Sequence, residues 1–408
     1  MVKDMLRTGR PENAVPAKKK WKLAQKVEML EYLDAVKASV LEEIHRIVPD
    51  DDARSDGLYE IMLDYPMRDG KALRPAISIA VCRALGGAVQ SVLPTAAVLE
   101  MYHNAFLIHD DIEDQSDMRR AAPTLHKLYG VPMAVNVGDG MLTATIRPLL
   151  ENTERVGLGR ALKILRVVSD MSRISAEGQM SELTWISGNH WDQRDADYVR
   201  MVHKKTGWYS FIAPAMLGAI AAGAPDALAR RLGWTFIPLG IAFQIKDDLL
   251  NLASDKDSYG KDIYGDLWEG KHTLILIHAM RNAATQDRKK ALGILAKAQP
   301  ATLEDAGRPD IAGVIETYGA KGEISAAAQA ALLAAVGTGV QSERTQDDVM
   351  FLRNLISECG SLEYATGIAN QFARKFQSGL GEFLTDLSPS VHGRFLSDIG
   401  NFTVQRTH

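Results

Sequence analysis

Two short acidic runs carry the clearest chemical signal in this chain: Asp110-Asp111-Ile112-Glu113-Asp114 and Asp247-Asp248-Leu249-Leu250-Asn251. On a helix, Asp110 and Asp114 lie one turn apart on one face and Asp111 stands three positions before Asp114, so the three carboxylates are expected to converge. Crowded carboxylates repel one another unless a cation lies between them. Hard oxygen ligands of this kind suit Mg2+, which keeps waters and shares substrate phosphates. Asp247, Asp248 and Asn251 repeat the spacing, with a side-chain carbonyl in the last place, and Gln244 lies one turn earlier on the same face. One such cluster reads as solvated helix surface. Two, each preceded by an apolar run (residues 105–108 and 237–243), point to helices that line a cavity in the core.

Acidic groups alone would describe a metal store, and the chain also carries cations spaced to hold phosphates. Lys71 and Arg74 stand three apart before Pro75, Arg119 and Arg120 follow the first acidic run, and Lys205-Thr206 lies midway to the second. Lys261 and Lys271 flank a further acidic loop. Most lysines and arginines are simply solvated, but acid and base alternate here in one order. His103 lies near the helical stripe of Asp110 and can donate to a phosphate.

The elements that position these groups read as helices. Apolar residues recur at three and four positions from Leu30 to Ile47 and again through most of the chain. Pro75 suits the first turn of a helix ending at Gly86-Gly87, and the next helix should run from Val92 to Asp110. Further helices are expected over 138–152, 159–185, 195–223, 226–251, 271–283 and 288–298, with several more beyond 310. No stretch shows sustained strand alternation with hairpin turns. The fold expected is all-α, a single-domain bundle of long helices around a central cavity over residues 21–408, after a mobile basic tail at 1–20.

Composition bounds the rest. Of 408 residues, 46% are hydrophobic and 24% charged, enough for a large core. A net charge of −4 supplies no global field for nucleic acid. Cys82 and Cys359 lack the spacing of a zinc or redox motif, and no secretory leader core is visible, so a cytoplasmic compartment is expected. The longest apolar stretch, within 211–223, is too short for stable membrane insertion.

The quoted residues, in their order, resemble the trans-isoprenyl diphosphate synthases, or polyprenyl synthetases. The likeness rests on Gly70-Lys71-Ala72-Leu73-Arg74-Pro75, the stretch 100–124, residues 178–183, Lys205-Thr206, Phe243 to Asp248 and the stretch 259–273, covering roughly 58–279; Leu362-Glu363-Tyr364-Ala365 is similar to the family's C-terminal end. The resemblance implies that Asp110, Asp111, Asp114, Asp247, Asp248 and Asn251 hold Mg2+, three ions in all, against an allylic diphosphate. It implies that Arg119, Gln179, Lys205, Thr206, Gln244, Lys261 and Lys271 contact that diphosphate or its metals, and that Lys71, Arg74, His103 and Arg120 bind isopentenyl diphosphate. It also implies a homodimer and a short-chain product. Phe106, one turn before Asp110, is the first candidate for the floor of the product tunnel; small Ala105 leaves an opening beside it and Tyr102 caps a deeper tunnel. That pattern favours geranylgeranyl diphosphate, with farnesyl diphosphate next. Ala72, Glu182 and Asn251 depart from the commonest residues at their positions. A class I terpene cyclase and a non-catalytic regulatory subunit are the alternatives.

Overall fold

The computed structural model describes residues 18–49, 55–253, 264–298, 311–337, 343–384 and 390–405; the tail before Lys18 and Lys261 lie outside them. The helices run in order α1 Lys18–Ile47, α2 Leu58–Met67, α3 Leu73–Ala84, α4 Val89–Glu113, α5 Leu125–Tyr129, α6 Val131–Ala144, α7 Ile146–Val156, α8 Leu158–Gly188 and α9 Asp195–Val202. A π-helical stretch, His203–Ile212, joins α9 without a break to α10 Ala213–Ala221. Then follow α11 Asp226–Ala253, α12 Gly265–Glu269, α13 Leu274–Asn282, α14 Thr285–Leu295, α15 Ile311–Ala320, α16 Ala326–Gly337, α17 Gln346–Glu358, α18 Ser361–Leu384 and α19 Val391–Gln405. Lys18 to Lys20 therefore open α1 instead of closing a tail.

The all-α expectation holds, and burial explains the layout. α3 and α4 bury residues on almost every side, including Ala76, Ile77, Ile79 and Val81 of the first and Val92, Ala96, Leu99, Met101 and Ile108 of the second. A helix apolar all round belongs in the middle of a bundle. One apolar cluster gathers α1, α3, α4, α6, α10, the N-terminal half of α11, the C-terminal end of α18 and the middle of α19. A second gathers α9, α13, α14, α17 and the C-terminal half of α11. α11 thus runs through both, packed on the π-helical stretch and α18.

One expectation needs correction, and one small element stands outside the helices. The helix expected over 138–152 is divided at Thr145, whose hydroxyl donates to Leu142 O at 2.6 Å. Pro148 has no N–H to give to Ala144 O, so a continuous helix would lack that bond. A strand pair also exists: Met118–Arg119 (β1) lies antiparallel to Ala122–Pro123 (β2). Its turn residues Arg120 and Ala121 have φ of 54° and 60°. Both positive angles are what a tight hairpin requires, but without Asn or Gly there the sequence carries no turn signal.

Candidate active site

The C-terminal ends of α4 and α11 face one another across a cavity of about 550 Å³. Asp110 and Glu113 line it from one side, Asp247, Asp248 and Asn251 from the other. The walls between come from α8 and the π-helical stretch, through Gln179, Lys205, Thr206 and Tyr209.

Of the first three aspartates, Asp110 and Asp114 share the neighbourhood of Lys205 and Lys271, whereas Asp111 departs from the convergence expected from spacing. Asp110 Oδ1 accepts from Gln179 Nε2 and from Lys205 Nζ, both at 3.3 Å. Asp114 Oδ2 accepts from Lys271 Nζ at 2.6 Å. Asp111 is fully buried and turned aside: Arg119 Nε donates to both its oxygens at 2.9 and 3.1 Å, Arg119 Nη2 donates to Oδ1, and Tyr65 Oη donates to Oδ2 at 2.6 Å. Consecutive helix positions point about 100° apart, and Arg119 on β1 lies on the side that Asp111 faces. Arg68 fixes that ribbon by donating to Arg119 O at 3.0 Å and Pro123 O at 2.8 Å.

On the facing helix, Asp248 accepts from Tyr198 Oη at 2.7 Å and from Gln244 Nε2 at 2.9 Å, while Thr206 Oγ1 donates to Gln244 Oε1 at 2.7 Å. Asn251 Oδ1 accepts from Asp266 N at 3.2 Å. Burial pushes the Asp114 and Asp248 carboxyls up to about 7, against the pull of Lys271 on the first and of the Gln244 and Tyr198 hydrogen bonds on the second. For Lys205, burial alone would favour the neutral amine, but Asp110 and Glu182 outweigh it and hold the ammonium above its usual range. Lys205 reaches both because α8 and the π-helical stretch touch at Gly178, where a Cβ would stand 2.2 Å from Lys205 N.

A second cationic group lines the same cavity. Arg74 Nη2 donates to Tyr209 Oη at 3.0 Å and Ser210 Oγ at 2.8 Å, with its guanidinium 4.5 Å over the Tyr209 ring. Arg120 donates to Tyr65 O at 3.1 Å, and both arginines line the cavity with His103. Burial and then Arg74 and Arg120 hold the His103 imidazole well below its usual pKa, hence neutral, and its buried Nδ1 has no hydrogen-bond partner. Lys71 is exposed, near the Phe402 ring at 5.8 Å, and is not in the cavity lining. Phe106 lines the cavity, edge-on to Tyr102 at 5.8 Å and to Tyr209 at 5.4 Å. Ala105 does not open beside it: its side chain is fully buried in the main apolar cluster.

Among the described residues no three His, Cys, Asp or Glu side chains assemble into a ready-made metal site. The donors are divided: carboxylate oxygens and one amide oxygen stand on two facing helix ends, alternating with lysines. Such a set fits a hard divalent cation that takes only one or two ligands from the protein and the rest from phosphate and water. Sequence spacing missed Tyr65, Tyr198, Tyr209 and His272. Tyr209 had a usable signal, one helical turn after Lys205; Tyr65 and Tyr198 had none, since their aspartates lie far along the chain.

Comparison with known proteins places this arrangement. The polyprenyl synthetase family profile matches residues 56–307. A geranylfarnesyl diphosphate synthase from Aeropyrum pernix is 36% identical over 227 residues, 55% of this chain and 70% of that protein. Among solved structures, a geranylgeranyl pyrophosphate synthetase from Pyrococcus horikoshii Ot3 superposes with a TM-score of 0.72 at 27% identity, covering 92% of this chain and 98% of that one. A polyprenyl synthase from Caulobacter crescentus CB15, complexed with calcium and isoprenyl diphosphate, gives 0.72 at 24% identity, covering 94% and 98%, which extends the shared fold over nearly the whole chain. The chain belongs to the polyprenyl synthetase family, with the all-α fold of its structural neighbours, and is a trans-prenyltransferase.

Proposed function

We propose that the chain condenses isopentenyl diphosphate head-to-tail with an allylic diphosphate (dimethylallyl, geranyl or farnesyl), giving an all-trans product, geranylgeranyl diphosphate first and farnesyl diphosphate next. The observation that carries this reading is a cavity with two separate polar groups. One is the pair of aspartate faces with Lys205 and Lys271; the other is Arg74, Arg120 and His103. A terpene cyclase needs one diphosphate site only, which favours condensation. A regulatory subunit would not need both aspartate faces.

In this reading Asp110, Asp114, Asp247, Asp248 and Asn251 hold Mg2+ ions, three in number, and Asp111 orients Arg119. Bound Mg2+ draws charge onto the departing pyrophosphate and so eases ionisation. Lys205, Lys271, Arg119 and Gln179 hold the allylic diphosphate, Thr206 acting through Gln244. As the allylic C–O bond breaks, its electron pair leaves with pyrophosphate; the isopentenyl double bond supplies the pair for the new C–C bond, and the proton lost from that unit goes to pyrophosphate. Ammonium and guanidinium groups fixed beforehand stabilise charge where it develops. Phe106, Leu107 and Phe243 keep water from the allylic cation. For Lys71 and Lys261 the reading rests on the motifs alone.

A homodimer and a cytoplasmic compartment complete the proposal. Exposed Leu128, Val131, Met133, Ile146, Leu150 and Leu162 on α5 to α8 are the apolar surface such a dimer would cover. Among the described residues no helix is long and apolar enough to cross a membrane. The test is incubation with isopentenyl diphosphate, each allylic starter and Mg2+, reading pyrophosphate release and product size, with chelation as the control. Turnover that stops on chelation is expected; no consumption of isopentenyl diphosphate would refute the reading.

A further inference from the structure

Lys271 stands on a short turn between α12 and α13, and that turn is gripped from outside the segment that the family profile covers. Lys271 Nζ lies 2.6 Å from Asp114 Oδ2 and 2.5 Å from Glu269 Oε2. Its backbone N–H closes on Asp266 O at 2.9 Å. Beneath the turn lies Arg344, only 6% exposed. Its guanidinium donates to Trp268 O at the end of α12, to Ile294 O at 3.3 Å and to Leu295 O at 2.8 Å in α14. All three acceptors are main-chain carbonyls, so the burial of this charge fixes backbone and does not neutralise a carboxylate.

Arg344 is itself held. Its N–H donates to Ala298 O at 3.0 Å, and the next residue, Thr345, caps α17 in a reciprocal pair with Asp348. Lys297, two residues past α14, binds Asp348 at 2.6 Å and ties that cap to the segment leaving the helix. Gly270, between Trp268 and Lys271, has φ +73°, and a Cβ there would stand 2.7 Å from Arg344 Nη2. The turn therefore closes against the guanidinium with no room for another side chain.

We propose that Arg344 is a positioning residue for the prenyl transfer: by fixing the turn 268–271 it sets the Lys271 ammonium beside Asp114, where the allylic diphosphate is held. The inference rests on the assignment of Lys271 to that diphosphate. It extends the functional machinery into the C-terminal part of the chain, where no motif points to it.

Steady-state kinetics of the full chain test it, with Mg2+, isopentenyl diphosphate and farnesyl diphosphate. Arg344→Ala should raise the KM for farnesyl diphosphate roughly tenfold, the scale of one charge-assisted hydrogen bond, and leave the KM for isopentenyl diphosphate within about twofold. In a Lys271→Ala background the same change should add less than about twofold, because the two residues act as one unit. Equal losses in both backgrounds, or a fall in kcat with both KM values unchanged, would overturn the proposal. If Arg344→Ala does not fold, Gly270→Ala replaces it and should give the same selective rise. A Lys271→Ala variant with unaltered farnesyl diphosphate KM overturns both this inference and the assignment beneath it; an effect of Lys271→Ala with none from Arg344→Ala or Gly270→Ala overturns this inference alone.

Discussion

Replacing Phe106 by alanine tests how the cavity limits product length. The ring stands edge-on to Tyr102 and Tyr209, with centroids at 5.8 and 5.4 Å. Such pairs contribute about 0.5–1.5 kcal/mol each beyond area burial, so losing both costs about 1–3 kcal/mol. The cavity penalty added in a sealed core is largely absent, since the ring already borders open space. The unfolding midpoint should therefore fall by a few degrees, and the variant should stay folded. The functional effect is geometric. One helical turn rises about 5.4 Å, so removing Phe106 moves the floor back one turn to Tyr102, a step of the order of one five-carbon unit. With farnesyl diphosphate as starter and isopentenyl diphosphate in excess, chromatography of the dephosphorylated products should show the main product lengthened by one unit. An unchanged product profile would remove Phe106 as the floor. Lengthening by Tyr102→Ala with Phe106 in place would reverse the order of the two.

Two further outcomes follow from contacts at the site and in the core. Gly178→Ala sets a Cβ 2.2 Å from Lys205 N, so α8 and the π-helical stretch must separate; kcat should fall at least tenfold, a loss on the scale of transition-state charge stabilisation, while circular dichroism stays helical, and native-like kcat would contradict the close approach. Burial, then the nearby Arg83, lowers the pKa of His392 from 6.5 to about 4, and its Nδ1 lies 2.9 Å from Tyr32 Oη. The unfolded chain binds that proton more readily, so this histidine makes stability fall as pH drops from about 6.5 towards 4. Urea unfolding of His392→Asn should show a smaller loss across that window, by up to about 3 kcal/mol, with the opposing Asp114 and Asp248 carboxyls common to both proteins; identical pH slopes would refute the assignment.

What could be read from the sequence was periodic, and what could not was set by contacts across the chain. Apolar stripes located α3, α4, α8 and α11, and acid spacing brought Asp110 and Asp247 to one cavity. Spacing could not say that Asp111 turns from Asp110, because that depends on Arg119 lying on a ribbon whose Arg120-Ala121 turn has no glycine to announce it. Lys71 and Arg74 read as a pair, yet one is exposed and the other is buried against Tyr209 and Ser210. The division at Thr145 is legible in Pro148, whose missing N–H interrupts the ladder. Nothing in the sequence marked Arg344, since its partners are carbonyl oxygens, which every residue possesses.

The π-helical stretch has a consequence for how this protein tolerates change. Lys205 and Tyr209, four apart on the π-helical stretch, stay near one face of it, the lysine reaching Asp110 and Glu182 and the tyrosine reaching Arg74 and Phe106. The step from the aspartates to the wall that Phe106 forms is thus held by helical register along this stretch as well as by residue identity. Deleting Trp208 would leave every proposed ligand in the chain and still draw the two side chains out of step, so length between Lys205 and Ser210 is constrained as tightly as composition.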